Sequence, residues 1–303
     1  MRTIPRCLLV LAVCGGAPRA TAAQQTAPPD PRVAWRPHTP LQGSLLLLGV
    51  RAPAGDSVVA VHGELAGEPL HFEPIAGWFR AVGAVPLGAR DSVVARVVIE
   101  RAAGASDTIT ASLPVGRRRA PRERLRVAPR FVQPPESLAP RIQAEHELVA
   151  DLKRRAHDAP RLWHQPFARP RADAVIDRFG VARVFNGIVH SRHLGVDFAG
   201  RRGAPVRATN RGVVTFVGDL YFSGTTVFLD HGAGLVTAYL HLSRALVVPG
   251  DTVARDQLIG RVGASGRVTG PHLHWLAAYG SVTVDPLGLL GLDLAAPFPA
   301  AAP

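Results

Sequence analysis

Three short histidine patterns stand in the C-terminal half of the chain: His193-Leu194-Gly195-Val196-Asp197, Tyr239-Leu240-His241-Leu242-Ser243 and Gly270-Pro271-His272-Leu273-His274-Trp275. Apolar and β-branched residues surround each, so strands are the expected setting, and strand side chains alternate faces with period two. By that parity His193 and Asp197 share one face, and His272 and His274 share another. Two imidazole nitrogens and one carboxylate oxygen, with water in the fourth position, form the ligand set of a catalytic zinc site. Charge agrees with that chemistry. Zinc with one carboxylate and two neutral imidazoles keeps about +1, enough to bring the pKa of bound water from 15.7 toward roughly 7. The residues alone do not choose between His272 and His274 as the second nitrogen ligand, because both point the same way.

Each pattern alone is weak, since H-x-x-x-D and H-x-H pairs arise often by chance. Three of them in one stretch, each beside glycine-marked turns, would need three coincidences. Other nearby residues read as structural. His190 lies three residues before His193, hence on the opposite strand face. His231, in Asp230-His231-Gly232, reads as a turn residue capping a hairpin. Trp275 reads as core, and the glycines of Gly263-Ala264-Ser265-Gly266 and Gly270 suit tight turns, not phosphate binding, as no strand-to-helix P-loop surrounds them.

The elements that must position these groups follow a long N-terminal half. The chain has 303 residues, 47% apolar and 19% charged, enough for two folded domains and too hydrophobic for extensive disorder. Arg2 and Arg6, the apolar stretch Cys7 to Cys14 and Ala20-Thr21-Ala22-Ala23 follow the order of a cleaved secretory signal over residues 1–23. The expected location is the periplasm, cell envelope or extracellular space. Cleavage would remove both cysteines, Cys7 and Cys14, which excludes disulfides, cysteine nucleophiles and cysteine-ligated metals from the mature chain. A lipid anchor at Cys14 is disfavoured because Val13 precedes it where a small residue is needed. No other stretch is long enough to span a bilayer.

After a linker over 24–32, residues 33–115 alternate apolar runs with turn signals about every 10 residues, the pattern of an immunoglobulin-like β-sandwich. Leu45 to Leu48, Val58 to Val61, Trp78 to Val82 and Val93 to Ile99 read as strands, separated by Pro53 to Asp56, Ala66 to Glu68, Ile75 to Gly77 and Pro86 to Ala89. His38, His62 and His71 are scattered through it and read as ordinary polar surface or edge-strand residues. Residues 116–170 form a basic connector. Its run Arg117-Arg118-Arg119 with Arg122, Arg124 and Arg126 reads as a solvated linker or a contact for an anionic polymer. Leu138, Ile142, Val149 and Leu152 recur at helical spacing, predicting one amphipathic helix from Glu136 to His157. A further domain over 171–291, which carries the histidine patterns, and a tail over 292–303 complete the expected organisation. The formal net charge of +12 favours anionic partners, but no DNA or RNA module is visible. Oligomeric state leaves no trace in the sequence.

From Phe179 to Leu290 the sequence resembles the lysostaphin/LytM family of zinc metallo-endopeptidases, which cut peptide cross-links of bacterial cell walls. The resemblance rests on the three histidine patterns together with Phe179-Gly180, Asn186-Gly187, Gly203-Ala204-Pro205-Val206-Arg207-Ala208, Asp230-His231-Gly232, Gly250-Asp251-Thr252-Val253, Ser265 to Trp275 and Asp285-Pro286-Leu287. It implies a mainly β, antiparallel-sheet peptidase domain with peptidoglycan peptides as substrate. It also implies Zn2+ as cofactor, His193, Asp197 and His274 as metal ligands, and His241 and His272 as the catalytic pair flanking the water. A non-catalytic cell-wall-binding or amidase-activating relative is the competing reading, but such members usually lose ligands, whereas all five positions persist here. Arg192 stands where many relatives have another histidine, and Leu276 stands where an acidic residue is common. Neither is a ligand, so these departures bear on substrate positioning.

Overall fold

Leu45–Val50 is buried at every position, an unusual state for a strand of an antiparallel sheet, where one face normally meets water. A computed structural model of the chain, which describes residues 30–51, 58–102 and 104–298, gives the reason. Leu46, Leu48 and Val50 enter one hydrophobic core, and Leu45 and Leu47 enter another. The expected secretory signal and the turn Pro53 to Asp56 lie outside the described residues.

The N-terminal region consists of two four-stranded antiparallel sheets sharing one core. One has the order Val33–Arg36, Leu45–Val50, Trp78–Ala84, Glu73–Ile75. The other has the order Glu68–Leu70, Val58–Leu65, Ser92–Arg101, Ser106–Pro114. The alternation read from Val93 to Ile99 is kept in the structure, with inward residues buried and outward ones exposed or half-buried. Ile75 pairs with Trp78 across a two-residue turn in which Ala76 and Gly77 both have positive φ, the left-handed pair that matches strand twist in tight hairpins.

The C-terminal sheet is ten-stranded and mainly antiparallel. Its spine runs Val175–Asp177, Val196–Ala199, His272–Tyr279, Leu235–Ala245, Gly224–Gly232, Gly212–Leu220, Thr252–Val253. Trp275, Tyr239, Tyr279 and Phe198 are fully buried here, so Trp275 is core as its sequence context suggested. The same core takes in Leu45, Leu47, Val82 and Ala84 from the sandwich, which is why both faces of Leu45–Val50 are apolar.

The connector departs from a solvated linker. Arg122–Leu125 is a strand paired in parallel with Ala182–Phe185, and Arg118 forms an ion pair with Asp285 at 2.9 Å. The helix spans Ala139–Arg155 after a single 3₁₀ turn at Glu136–Leu138, with Val149 and Leu152 against the sheet. His62 and His38 are at the surface, but His71 is not an ordinary edge residue. It sits 2.8 Å from Nδ1 of His157, whose Nε2 lies 3.0 Å from Glu68, joining sandwich to connector. Residues of the tail pack back on the sandwich, where the guanidinium of buried Arg80 donates to the carbonyls of Leu294 and Ala296. Among the described residues no helix is long and apolar enough to cross a membrane.

Candidate metal centre

Asp197 and His274 stand directly opposite each other where Val196–Ala199 pairs antiparallel with His272–Tyr279. Cross-strand partners have side chains on the same face, so the register alone brings a carboxylate beside an imidazole. His193 arrives differently. It does not share a strand with Asp197, since Val189–Arg192 ends before it and belongs to a separate three-stranded sheet. The four-residue spacing works because the chain turns through Leu194-Gly195, where a Cβ on Gly195 would come within 2.5 Å of Nε2 of His274. The pairing of these residues was expected correctly, but the continuous strand used to argue it is absent.

The three donors converge tightly. Nε2 of His193 is 3.0 Å from Oδ1 of Asp197 and 3.0 Å from Nδ1 of His274, and that Nδ1 is 2.8 Å from the same Oδ1. All three residues are buried. Nδ1 of His193 faces the carbonyl of Arg178 at 2.8 Å, which takes the proton of a neutral ring and leaves a lone pair on Nε2. Burial pushes His274 down to about 4, so that ring is neutral near pH 7 and brings one proton at most. Three contacts thus share a single hydrogen. A divalent cation satisfies all three lone pairs at once, and two nitrogens with one carboxylate oxygen are a zinc-type set. The donor chemistry therefore fits a metal.

Two residues not singled out in the sequence complete the surroundings. Arg183 donates to Oδ2 of Asp197 at 2.8 Å and also to Asp177, and Asp177 lies opposite Asp197 in register and 3.3 Å from Nδ1 of His193. With one Asp197 oxygen held by the guanidinium, the other is left aimed at the imidazoles, the orienting role that outer groups play in metal sites. Burial alone would raise the Asp197 carboxyl, but contacts from His193 and His274 overcome it and hold the group well below the usual carboxylate range. The two carboxylates and one guanidinium sum to one negative charge before any cation is present.

His272 and His241 stand beside this triangle. Nε2 of His272 is 3.8 Å from Oδ2 of Asp197, and its Nδ1 faces the carbonyl of Gly270 at 2.8 Å. Strand alternation would turn His241 away from the face of Leu240, which pairs with His274. A left-handed backbone at His241, with φ 61°, breaks that alternation. Its ring consequently packs edge-on to those of His272 and His274, with centroids 5.1 and 5.8 Å away. Nδ1 of His241 faces the carbonyl of Ser265 at 2.8 Å. Burial, with smaller contributions from His274 and His272, keeps His241 well below its ordinary value. In both rings the carbonyl fixes the proton on Nδ1, so Nε2 is a lone-pair acceptor. All five site residues predicted from the sequence are therefore in one cluster.

The remaining histidines separate from it. His190 is exposed. His231 is not a turn residue. It lies within Gly224–Gly232, fully buried, with its nitrogens 2.7 Å from the Arg211 carbonyl and 2.8 Å from the Thr237 hydroxyl. A cleft of about 190 Å3 opens beside the cluster, lined by Asp197, His241, His272, Arg183 and Arg267. A larger one of about 450 Å3, lined by His164, Asn210 and Arg211, lies elsewhere and holds no comparable donor set.

The His-Asp-His triangle lies against this sheet, and residues 191–286 match peptidase family M23. The matched stretch contains His193, Asp197, His241, His272 and His274. Over 83 residues the chain is 47% identical to the peptidoglycan DD-endopeptidase ShyA of Vibrio cholerae, covering 27% of this chain and 19% of that protein. A stretch of 97 residues is 41% identical to the DD-carboxypeptidase/endopeptidase Mpg of Neisseria meningitidis, covering 32% and 22%. The chain thus spans about a fifth of the length of these curated relatives. A solved Pseudomonas aeruginosa structure assigned to the M23 peptidases superposes over 83% of this chain and 95% of its own, with TM-score 0.63 and 28% identity.

Proposed function

We propose that this chain is an exported zinc metallo-endopeptidase that hydrolyses peptide bonds in the stem peptides or cross-links of bacterial peptidoglycan. The observation that carries the reading is the buried triangle of His193 Nε2, Asp197 Oδ1 and His274 Nδ1, with two acceptor imidazoles at its edge. Its relatives' names, a peptidoglycan DD-endopeptidase and a DD-carboxypeptidase/endopeptidase, supply the substrate class.

Bound by His193, Asp197 and His274, zinc would polarise the scissile carbonyl and make water acidic enough to ionise near neutral pH. The chain's own groups do the rest. Nε2 of His272 or of His241 accepts the water proton, since Nδ1 of each is committed to a backbone carbonyl. Once protonated, the same Nε2 can donate to the substrate oxyanion or to the departing amine. Arg183 keeps Asp197 oriented throughout and neutralises part of its charge.

The test is digestion of purified sacculi by the chain lacking residues 1–23, with mass spectrometry of the released fragments. The account expects new amine termini within the peptides, abolished by a strong chelator and restored by zinc, with casein left intact. Undigested sacculi despite bound zinc would favour a cell-wall-binding or amidase-activating role. Cleavage of casein alone would point to a protein-directed peptidase.

A further inference from the structure

Among the described residues, Arg267 is a cation without an anionic partner. Its guanidinium lies 4.4 Å from the ring centroid of Phe185 and 4.7 Å from that of Phe222, and its backbone N–H donates to the Phe222 carbonyl at 2.8 Å. Among the described residues, no carboxylate, carbonyl or hydroxyl accepts a hydrogen bond from its side chain. Arg183 in the same cleft is already paired with both Asp177 and Asp197. The cleft's own free acid, Glu123, forms no ion pair with Arg267 among the described residues. Aromatic packing covers a guanidinium face and leaves its in-plane N–H fork open, and that fork matches a carboxylate bidentately. The cleft that holds it also holds Asp197, His241 and His272. Its volume of about 190 Å3 leaves room for part of an extended peptide.

We propose that Arg267 binds the free α-carboxylate of the substrate residue that leaves as the amine, which makes this cleft selective for bonds whose amine-side residue is a free acid. The inference rests on the peptidase reading above and sharpens it. A glycine bridge continuing on the amine side offers no such charge, whereas a terminal D-residue, or a diamino acid linked through its D-centre, does. Burial and the nearby Arg183 both depress the Arg267 guanidinium, a strain that an incoming carboxylate relieves.

The probe is an N-terminally dansylated pentapeptide ending in D-Ala-D-Ala, prepared as the free acid and as the C-terminal amide. With the zinc-loaded chain, kcat/KM should favour the acid by about 10- to 100-fold, the discrimination expected of a charge-assisted hydrogen-bond pair. R267Q should lose that ratio, mainly through KM of the acid, and R267K should restore part of it. Binding of both peptides to chelator-treated protein, followed by fluorescence anisotropy, should show the same acid preference and the same dependence on Arg267. Equal use of acid and amide by the unaltered chain, or an equal loss on both peptides in R267Q, would overturn the proposal while leaving the peptidase reading intact. Arg267-dependent binding of the acid, with neither peptide cleaved and purified sacculi left undigested by the zinc-loaded chain, would uphold the carboxylate site and sink the peptidase reading.

Discussion

Both halves of the molecule are β-structure, but they bury different things. Apart from Trp35, the sandwich core is made of Val, Leu, Ile and Ala, and the polar groups of its strands point mainly outward. Its buried exceptions, Glu68 and Arg80, contact the C-terminal half instead of one another. The C-terminal sheet encloses His193, Asp197, Asp230, His231, His241 and His274 within a few strands. Burying such groups costs several kcal/mol each unless they are paired, so their concentration in one sheet marks where chemistry offsets stability. The sandwich behaves as a support whose alternation could be exchanged for another apolar pattern. In the C-terminal sheet, register and side-chain identity are both fixed by the donor triangle.

Substitutions should divide along that line. Asp197→Ala should reduce sacculus digestion to background, because it removes a ligand and frees Arg183 into the triangle. His272→Ala should retain the metal but lose about 100- to 10,000-fold in kcat, the usual contribution of a positioned acid–base group; steady-state kinetics at fixed zinc content checks this. In the sandwich, Leu48→Ala should cost about 2–5 kcal/mol of stability through cavity formation while leaving zinc stoichiometry untouched, as read by urea unfolding and metal analysis. His231 links stability to pH. Burial lowers it to about 4 in the folded chain, so the unfolded chain binds its proton first as pH falls. The stability it supports is complete above about pH 6.5 and is lost progressively toward pH 4, about 2–3 kcal/mol by pH 4.5. Urea midpoints of the unaltered chain and His231→Asn at pH 7.5 and 4.5 should show a smaller loss on acidification in the variant, the buried His241 and His274 supplying the remainder. Smallest of all, Glu68→Gln should weaken the contact between the halves by about 1 kcal/mol, detectable as a lower melting temperature with unaltered turnover.

The sandwich strands could be read because alternation is a local signal, and Val93 to Ile99 shows it with almost no interruption. The five residues that gather around the triangle were equally visible, since three short motifs carry them. What escaped detection depends on distant stretches meeting. Asp177 and Arg183 act on Asp197 through strand pairing that no local spacing encodes. His71 meets His157 only when sandwich and connector dock, and Arg118 reads as solvated because its partner, Asp285, lies far along the chain, whereas Arg117, Arg119, Arg122, Arg124 and Arg126 are indeed exposed. His231 looked like a turn residue because Asp230 and Gly232 flank it, yet the hairpin turns later, at Ala233 and Gly234, which have positive φ. His241 illustrates the reverse case, in which a local rule, strand alternation, is broken by one left-handed residue at the site itself.

The most direct test is zinc titration of metal-free protein, monitored by competition with a chromophoric chelator, for the unaltered chain and the variants His193→Ala, His274→Ala and His272→Ala. One tightly bound zinc per chain, lost in the first two variants and kept in the third, is the predicted result. Zinc lost with His272, or never bound by correctly folded protein, would contradict the assignment of His193, Asp197 and His274 as a metal centre.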